Sequence, residues 1–342
     1  MLRGLLAVAC LVVIGLAAAG WTAWQQWHQA MAIPADGYAL MVEPGDSLAD
    51  VAARLEQDGV YGHPRLLRLY GRWSGLDQSV KRGEYRVPAG TTPMSLLVLL
   101  SQGQVVTYTV TLPEGITLAR AIDILADQPV LKRELNGPDD PRLSAIATDF
   151  PSPEGWFFPD SYQYERGASD WEILQRAHVA MQRVLTEEWR ERDDGLPYDT
   201  PYEALIMASI VERETGLPEE RAEIAGVFVR RLQRRMRLQT DPTIIYGLGP
   251  DFDGNLRRSH LRDGENPYNT YRHWGLPPTP IALPGRAAIH AALHPQPGDT
   301  LFFVARGDGG HHFSVTLAEH ERAVRKYQLN RREGYRSSPE QR

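Results

Sequence analysis

Cysteine is nearly absent from this 342-residue chain, with Cys10 as the single one. An intrachain disulfide is therefore excluded, and thiolate metal sites and thiol catalysis lose their basis. Lysine is scarce as well. Only Lys81, Lys132 and Lys326 occur, and arginine supplies the rest of the 37 basic residues. With 43 acidic residues the net charge is −6, and there is no basic excess of the kind that tracks a nucleic-acid backbone. Several enzyme signatures are also missing. There is no Gly-x-Ser-x-Gly elbow, no Ser-x-x-Lys pair, no Walker loop and no dinucleotide fingerprint.

A long apolar run is present at the N-terminus. From Leu5 to Trp24 no side chain is charged, and about 20 such residues cross a bilayer as a helix. Arg3 precedes the run and the next charge is Asp36. That asymmetry predicts a cytoplasmic N-terminus and an external remainder, with Trp21, Trp24 and Trp27 as an interfacial belt. The competing reading is a cleaved signal peptide with Ala17–Ala19 as its small-residue site. The length of the run and its tryptophan end favour an uncleaved anchor.

Beyond a short segment at 28–37, a strand–turn–helix grammar recurs. Tyr38, Leu40 and Val42 alternate as a strand, and Asp46 or Ser47 caps a helix with Leu48, Val51, Ala52 and Leu55 inward. A helix is expected near Leu66–Trp73. A second strand near Tyr85 and Val87 leads to a helix from about Pro93 to Ser101. A third runs Val105–Leu112, with Thr117 capping a helix to Ala126. Asn136–Pro153 reads as a loop, and Trp171–Arg192 as a polar amphipathic helix. Glu203–Thr215 reads as an apolar helix, and Pro218–Met236 as another. Asp251–Pro284 reads as loop, Ala287–Leu293 as a short helix, and "TLFFVARGDGGHHFSVT" as a hairpin. Thr316 and Glu319 form a capping box for the last helix.

The stretch "ASIVERETG", Ala208–Gly216, holds two glutamates. On a helical wheel Met207, Ile210 and Val211 lie within about 60° of Glu214, whereas Glu212 lies about 160° away. A carboxyl that continues an apolar stripe is desolvated, which raises its pKa toward the range a general acid needs. Glu212 lacks that argument. His290 and His294 stand at i, i+4, but no zinc-protease glutamate accompanies them, so no metal is expected. "RLQTDPTIIYGLG" has no evident packing reason for its Gln-Thr-Asp-Pro. "NPYNTYRHWGLPPTPI" mixes rings with amides, as sugar sites do, and a proline-rich structural loop is the plain alternative.

Taken together, "EGWFFPDSY", "ASIVERET", "MRLQTDPTIIYGLG", "YNTY...GLPPTPI..PG" and "FFVARGDGGHHF" resemble the endolytic murein transglycosylases of the MltG or YceG-like family, in matching order. The resemblance implies an α+β protein: an N-terminal transmembrane helix (1–27), a linker (28–37), a LysM-like α/β subdomain (38–104), a larger mixed α/β catalytic domain (105–330) and a polar tail (331–342). It implies an inner-membrane, single-pass protein with its catalytic domain in the periplasm. The implied function is endolytic cleavage of the β-1,4 bond between N-acetylmuramic acid and N-acetylglucosamine in nascent peptidoglycan. The products would carry 1,6-anhydro ends, no cofactor would be needed, and glycan-polymerising synthases would be partners. The second glutamate of "E-x-E-T", Glu214, would be catalytic. Gln239, Thr240, Asp241, Asn269, Tyr271 and His312 would contact substrate, and Glu154 and Asp160 would either join them or hold the aromatic loop in place. The alternatives are a membrane-anchored, non-catalytic peptidoglycan-binding protein and an ordinary glycosidase that leaves reducing ends.

Overall fold

A computed structural model describes residues 2–329; the expected tail at 331–342 lies outside the described residues. The architecture is mixed α+β. Helix α1 (Leu2–His28) is followed by β1 (Tyr38–Val42), α2 (Leu48–Gln57), α3 (Pro64–Ser74), β2 (Gly83–Val87), α4 (Pro93–Gln102) and β3 (Thr107–Thr111). Then come α5 (Leu118–Ala126), α6 (Pro141–Ile146), β4 (Ser161–Glu165), α7 (Asp170–Glu191), α8 (Pro201–Glu214), α9 (Arg221–Gln233), α10 (Asp241–Leu248) and α11 (Arg258–Arg262). The chain continues through α12 (Arg286–Leu293), β5 (Phe302–Ala305), β6 (His311–Ser314) and α13 (Leu317–Val324). It divides into two compact units: residues up to Tyr108 with Gln163–Gly167, and Thr109–Tyr162 with Ala168 onward.

In the first unit, α1 is the one described helix long and apolar enough to cross a membrane, over Val8–His28. Leu11, Val13, Leu16, Trp21 and Trp24 along it are exposed. Trp27 departs from the expected belt. It is buried in the core of the unit with Met31, and its ring lies against Tyr70. The segment after α1 is pinned by backbone bonds from Met31 N–H to Thr91 O (2.9 Å) and from Ala32 N–H to Val60 O (3.0 Å). β1 and β2 pair antiparallel, Leu40 facing Tyr85. Ser47 and Thr92 cap α2 and α4 through reciprocal boxes with Asp50 and Ser95, which satisfies backbone donors that helix starts otherwise leave open. The third strand–turn–helix piece departs from the first two, because β3 pairs with β4 rather than joining β1 and β2.

The second unit is built around α8. Thr200 and Glu203 form its capping box, with Pro201 at its first position. Every residue from Ala204 to Val211 is buried, so α8 is enclosed on all sides rather than along one stripe. It packs against α7, α9, α10 and α12. The buried Ser209 hydroxyl accepts the N–H of Ile281 at 3.0 Å and ties the proline-rich loop to the helix. Gly155 has φ +85°, and a Cβ there would meet Pro280 at 2.5 Å; only glycine fits that turn and that approach. Trp156 packs on Phe150 and Tyr202, and Phe157 is fully buried, so these rings of "EGWFFPDSY" are core. Short helices α6, α10 and α11 lie where loops or no regular structure were expected. The helix expected from Pro218 starts as a three-residue 3-10 turn, Pro218–Glu220, before α9.

Candidate active site

Glu214 is the last residue of α8, and Thr215 beyond it is extended, at φ −142° and ψ 138°. The break in helical geometry releases the Glu214 side chain from the helix end. The residue is half-buried. Burial of its carboxyl is the largest influence and raises its pKa to about 7, helped by the negative Asp241 and opposed by the Thr240 hydroxyl, Arg231 and Arg213. Thr240 Oγ1 donates to Glu214 Oε1.

Thr240 is held from three directions. Its N–H donates to Thr270 Oγ1 at 3.0 Å, its carbonyl accepts the Thr243 hydroxyl at 2.8 Å, and the Thr243 and Thr270 hydroxyls are 3.0 Å apart. All three threonines are buried. Next to it, Gln239 has φ 52°, a left-handed conformation that a non-glycine residue adopts at a cost. Its side chain is exposed, and its N–H donates to Thr270 O at 3.2 Å. Asp241, also exposed, opens α10 and accepts the Tyr271 hydroxyl at 2.7 Å. Burial, with Asp241 and Glu214 nearby, pushes the Tyr271 phenol well above its ordinary pKa. Glu214, Thr240, Asp241 and Tyr271 therefore form one cluster, with Gln239 on its solvent side.

Two residues of the expected set are placed otherwise. Asn269 is fully buried, and its amide nitrogen donates to the carbonyls of His260 (3.0 Å) and Leu261 (3.4 Å) while its oxygen accepts Tyr271 N–H at 3.1 Å. Its amide braces the loop that carries Tyr271. His312 is exposed with its ring 5.6 Å from Tyr327. Strand alternation turns its neighbour His311 inward instead.

Sequence reasoning missed Glu220, the buried partner of His311. Glu220 accepts His311 N–H at 2.8 Å, lies 2.7 Å from His311 Nδ1, and accepts the Thr215 hydroxyl at 3.4 Å. Thr215 in turn accepts Leu217 N–H at 3.0 Å. This buried group fixes the turn that follows Glu214. Arg231 was also missed. Its guanidinium is buried, donates to Leu301 O (2.7 Å) and Leu238 O (2.6 Å), and acts electrostatically on Tyr271 and Glu214. A histidine beside a glycine turn is visible in sequence, but its burial against Glu220 depends on a contact 91 residues away.

Glu212 does not lie on a solvated face. Its side chain is 6% exposed, Gly285 N–H donates to it at 2.9 Å, and Arg221 is 3.6 Å away. Burial raises its pKa as well. The wheel assumed one buried face, whereas α8 has neighbours all round. Glu154 is likewise buried, with a pKa of about 7 caused by desolvation, and accepts Leu118 N–H (2.9 Å) and the Tyr246 hydroxyl (3.2 Å). It joins the start of α5 to α10, while Asp160 is exposed. Both Glu212 and Glu154 are thus engaged with fixed protein donors. Glu214 differs in its single hydroxyl donor and in its exposed neighbours Gln239 and Asp241.

His290 and His294 do meet a carboxylate. Ligand atoms of Glu188, His290 and His294 lie within 4.8 Å of one another. Glu188 already holds Arg286 (2.7 Å) and His290 (2.8 Å), and His294 pairs with Asp193 at 2.9 Å. Each member of the group thus already has a protein partner.

The YceG-like family matches residues 40–326. The chain belongs to the YceG-like family. This YceG-like chain is 28% identical over 304 residues to the endolytic murein transglycosylase of Bacillus subtilis (strain 168), covering 84% of the chain and 83% of that protein. It is 25% identical over 359 residues to the endolytic murein transglycosylase of Streptococcus pneumoniae serotype 2 (strain D39 / NCTC 7466), covering 94% of the chain and 64% of that longer protein. A solved yceG-like protein of Listeria monocytogenes superposes with a TM-score of 0.55 at 27% identity, over 84% of this YceG-like chain and 98% of the other.

Proposed function

We propose that this YceG-like protein is an endolytic lytic transglycosylase that cuts the β-1,4 bond between N-acetylmuramic acid and N-acetylglucosamine within peptidoglycan strands. The observation that carries this reading is the Glu214 carboxyl, whose burial pushes its pKa up to about 7 at the edge of a cluster of polar groups. A carboxyl with that pKa is protonated and still able to ionise near neutral pH, as a general acid must be. Its proton passes to the glycosidic oxygen as the bond to muramic C1 breaks through an oxocarbenium-like state. The carboxylate then takes the proton of the muramic 6-hydroxyl as that oxygen bonds to C1. The acid is regenerated, a 1,6-anhydro ring forms and water is not consumed. No second carboxylate is required as nucleophile or as base for water. The Thr240 hydroxyl occupies Oε1 and leaves Oε2 for the substrate. Gln239, Asp241 and Tyr271 are the neighbours placed to meet sugar hydroxyls.

In the same proposal α1 anchors the chain by one pass in the inner membrane, with the remainder in the periplasm. Residues 38–104 form a LysM-like subdomain that positions glycan, and 105–330 form the catalytic domain. Glycan-polymerising synthases supply the nascent strands. Digestion of purified glycan strands by the full chain, with mass analysis of the ends, tests the function. Anhydromuramic ends are expected; reducing ends would overturn the mechanism, and intact strands would overturn the activity.

A further inference from the structure

Helix α3 (Pro64–Ser74) buries Leu67 and Gly71 and presents a very different opposite side. Arg65, Arg68, Leu69, Arg72 and Trp73 are all exposed, with Leu69 at 60% and Trp73 at 84%. At 100° per residue, Arg65, Leu69, Arg72 and Trp73 fall within an arc of about 100° centred away from the core, and Arg68 flanks it. The helix contains no acidic residue, and none of the three arginines forms an ion pair among the described residues. An indole and a leucine left in water beside unpaired arginines call for a partner that is apolar inside and anionic outside.

The position of α3 indicates that partner. The Tyr70 hydroxyl donates to the Ala23 carbonyl of α1, and the Tyr70 ring lies 3.6 Å from that of Trp27 between centroids. Ala23 is at the outer end of the charge-free run Leu5–Trp24. A hydrocarbon core of about 30 Å takes up about 20 helical residues. If that run fills the core, Ala23 stands at its outer boundary, and the contacts of Tyr70 hold α3 at the level of the headgroups. Tryptophan favours that zone, and arginine pairs there with lipid phosphates.

We propose that the Arg65–Arg68–Leu69–Arg72–Trp73 face of α3 lies on the bilayer surface and binds anionic lipid headgroups, so that α1 and α3 together set the orientation of the first unit. This rests on α1 being the membrane anchor, and the experiment separates the two. In the full chain carrying Cys10→Ala, a single cysteine is introduced as Val12→Cys or as Leu69→Cys and labelled with a fluorophore. Each protein is reconstituted in phosphatidylglycerol–phosphatidylcholine vesicles containing nitroxide-labelled lipid, and quenching by the nitroxide is compared with quenching by aqueous iodide. Nitroxide quenching without iodide quenching is expected at both positions. Each arginine near an anionic surface shifts the contact equilibrium about five-fold, so Arg65→Gln, Arg68→Gln and Arg72→Gln together should lower contact at residue 69 about 100-fold. Vesicles of phosphatidylcholine alone should lower it in the same direction. A lipid-embedded label at 12 with an iodide-accessible label at 69 would overturn the α3 surface while leaving the anchor. Iodide access at both would overturn both. Lipid contact at 69 that ignores the arginines and the lipid charge would overturn the anionic-headgroup assignment. Glycan cleavage by the arginine variant, none of whose substitutions touches the Glu214 cluster, serves as the check that it is folded.

Discussion

Replacing Glu214 by Gln should abolish chemistry and strengthen the fold at the same time, and the second effect has a definite pH dependence. The carboxyl has a pKa of about 7 in the folded chain against 4.5 for the free group, because burial disfavours its charge. A raised folded-state pKa means that the folded chain holds this proton more tightly than the unfolded one. The resulting stabilisation is complete below about pH 4.5 and is lost as pH rises through about 7. Each pKa unit corresponds to about 1.4 kcal/mol, and some discount is due for the remaining solvent contact, so ionising Glu214 costs the fold roughly 2–3 kcal/mol at pH 8. Glutamine has the same shape and no charge. At pH 8 Glu214→Gln should therefore melt higher than the unmodified protein by about 4–12 °C, at roughly 2–4 °C per kcal/mol for a unit of this size. At pH 4 the two should melt together, apart from what the amide changes at Thr240. Melting of both proteins in one detergent at the two pH values is the assay. Activity on glycan strands should fall about 100- to 10,000-fold, the usual worth of general acid–base assistance. A variant no more stable than the parent at pH 8, or one that keeps full activity, would refute the reasoning from burial to acid.

Thr240→Val removes the donor that favours the Glu214 carboxylate; the high-pH limb of the rate profile should move up and the rate should fall about ten-fold, which a pH–rate series would read. Glu212→Gln removes a carboxylate whose ionisation burial also disfavours, and the amide oxygen can still accept Gly285 N–H; stability at pH 8 should therefore not fall and the product should remain anhydromuramic, as melting and end-group analysis together would report. His311→Ala leaves Glu220 without its imidazole partner and should lower stability by about 1–3 kcal/mol, whereas His312→Ala, on an exposed position, should stay within about 0.5 kcal/mol; equal losses in the two would contradict the strand alternation. Asn269→Ala strips donors from part-buried carbonyls and should appear as a stability loss of about 1–3 kcal/mol rather than as a rise in KM alone, which unfolding and kinetics on one sample would separate.

Local signals were legible in the sequence wherever neighbours along the chain decide the outcome. The charge-free run, the caps at Ser47, Thr117 and Thr316, the glycine-turned hairpin and the period of α7 depend on residues a few positions apart. Family resemblance and the wheel converged on Glu214 because its motif and its apolar stripe are both contiguous. Other features required the tertiary structure. A wheel assigns one buried side to a helix, yet α8 is enclosed on all sides, so Glu212 is buried too. The choice between the neighbours His311 and His312 depends on which face of β6 meets Glu220, and Trp27 leaves the expected belt because Tyr70 covers it. Asn269 and Tyr271 share one loop and one polar character. Only the fold decides that the amide is enclosed by backbone carbonyls while the phenol reaches Asp241 beside Glu214. Burial and hydrogen-bond partners belong to groups brought together from distant parts of the chain, and neither composition nor spacing encodes which of those groups will meet.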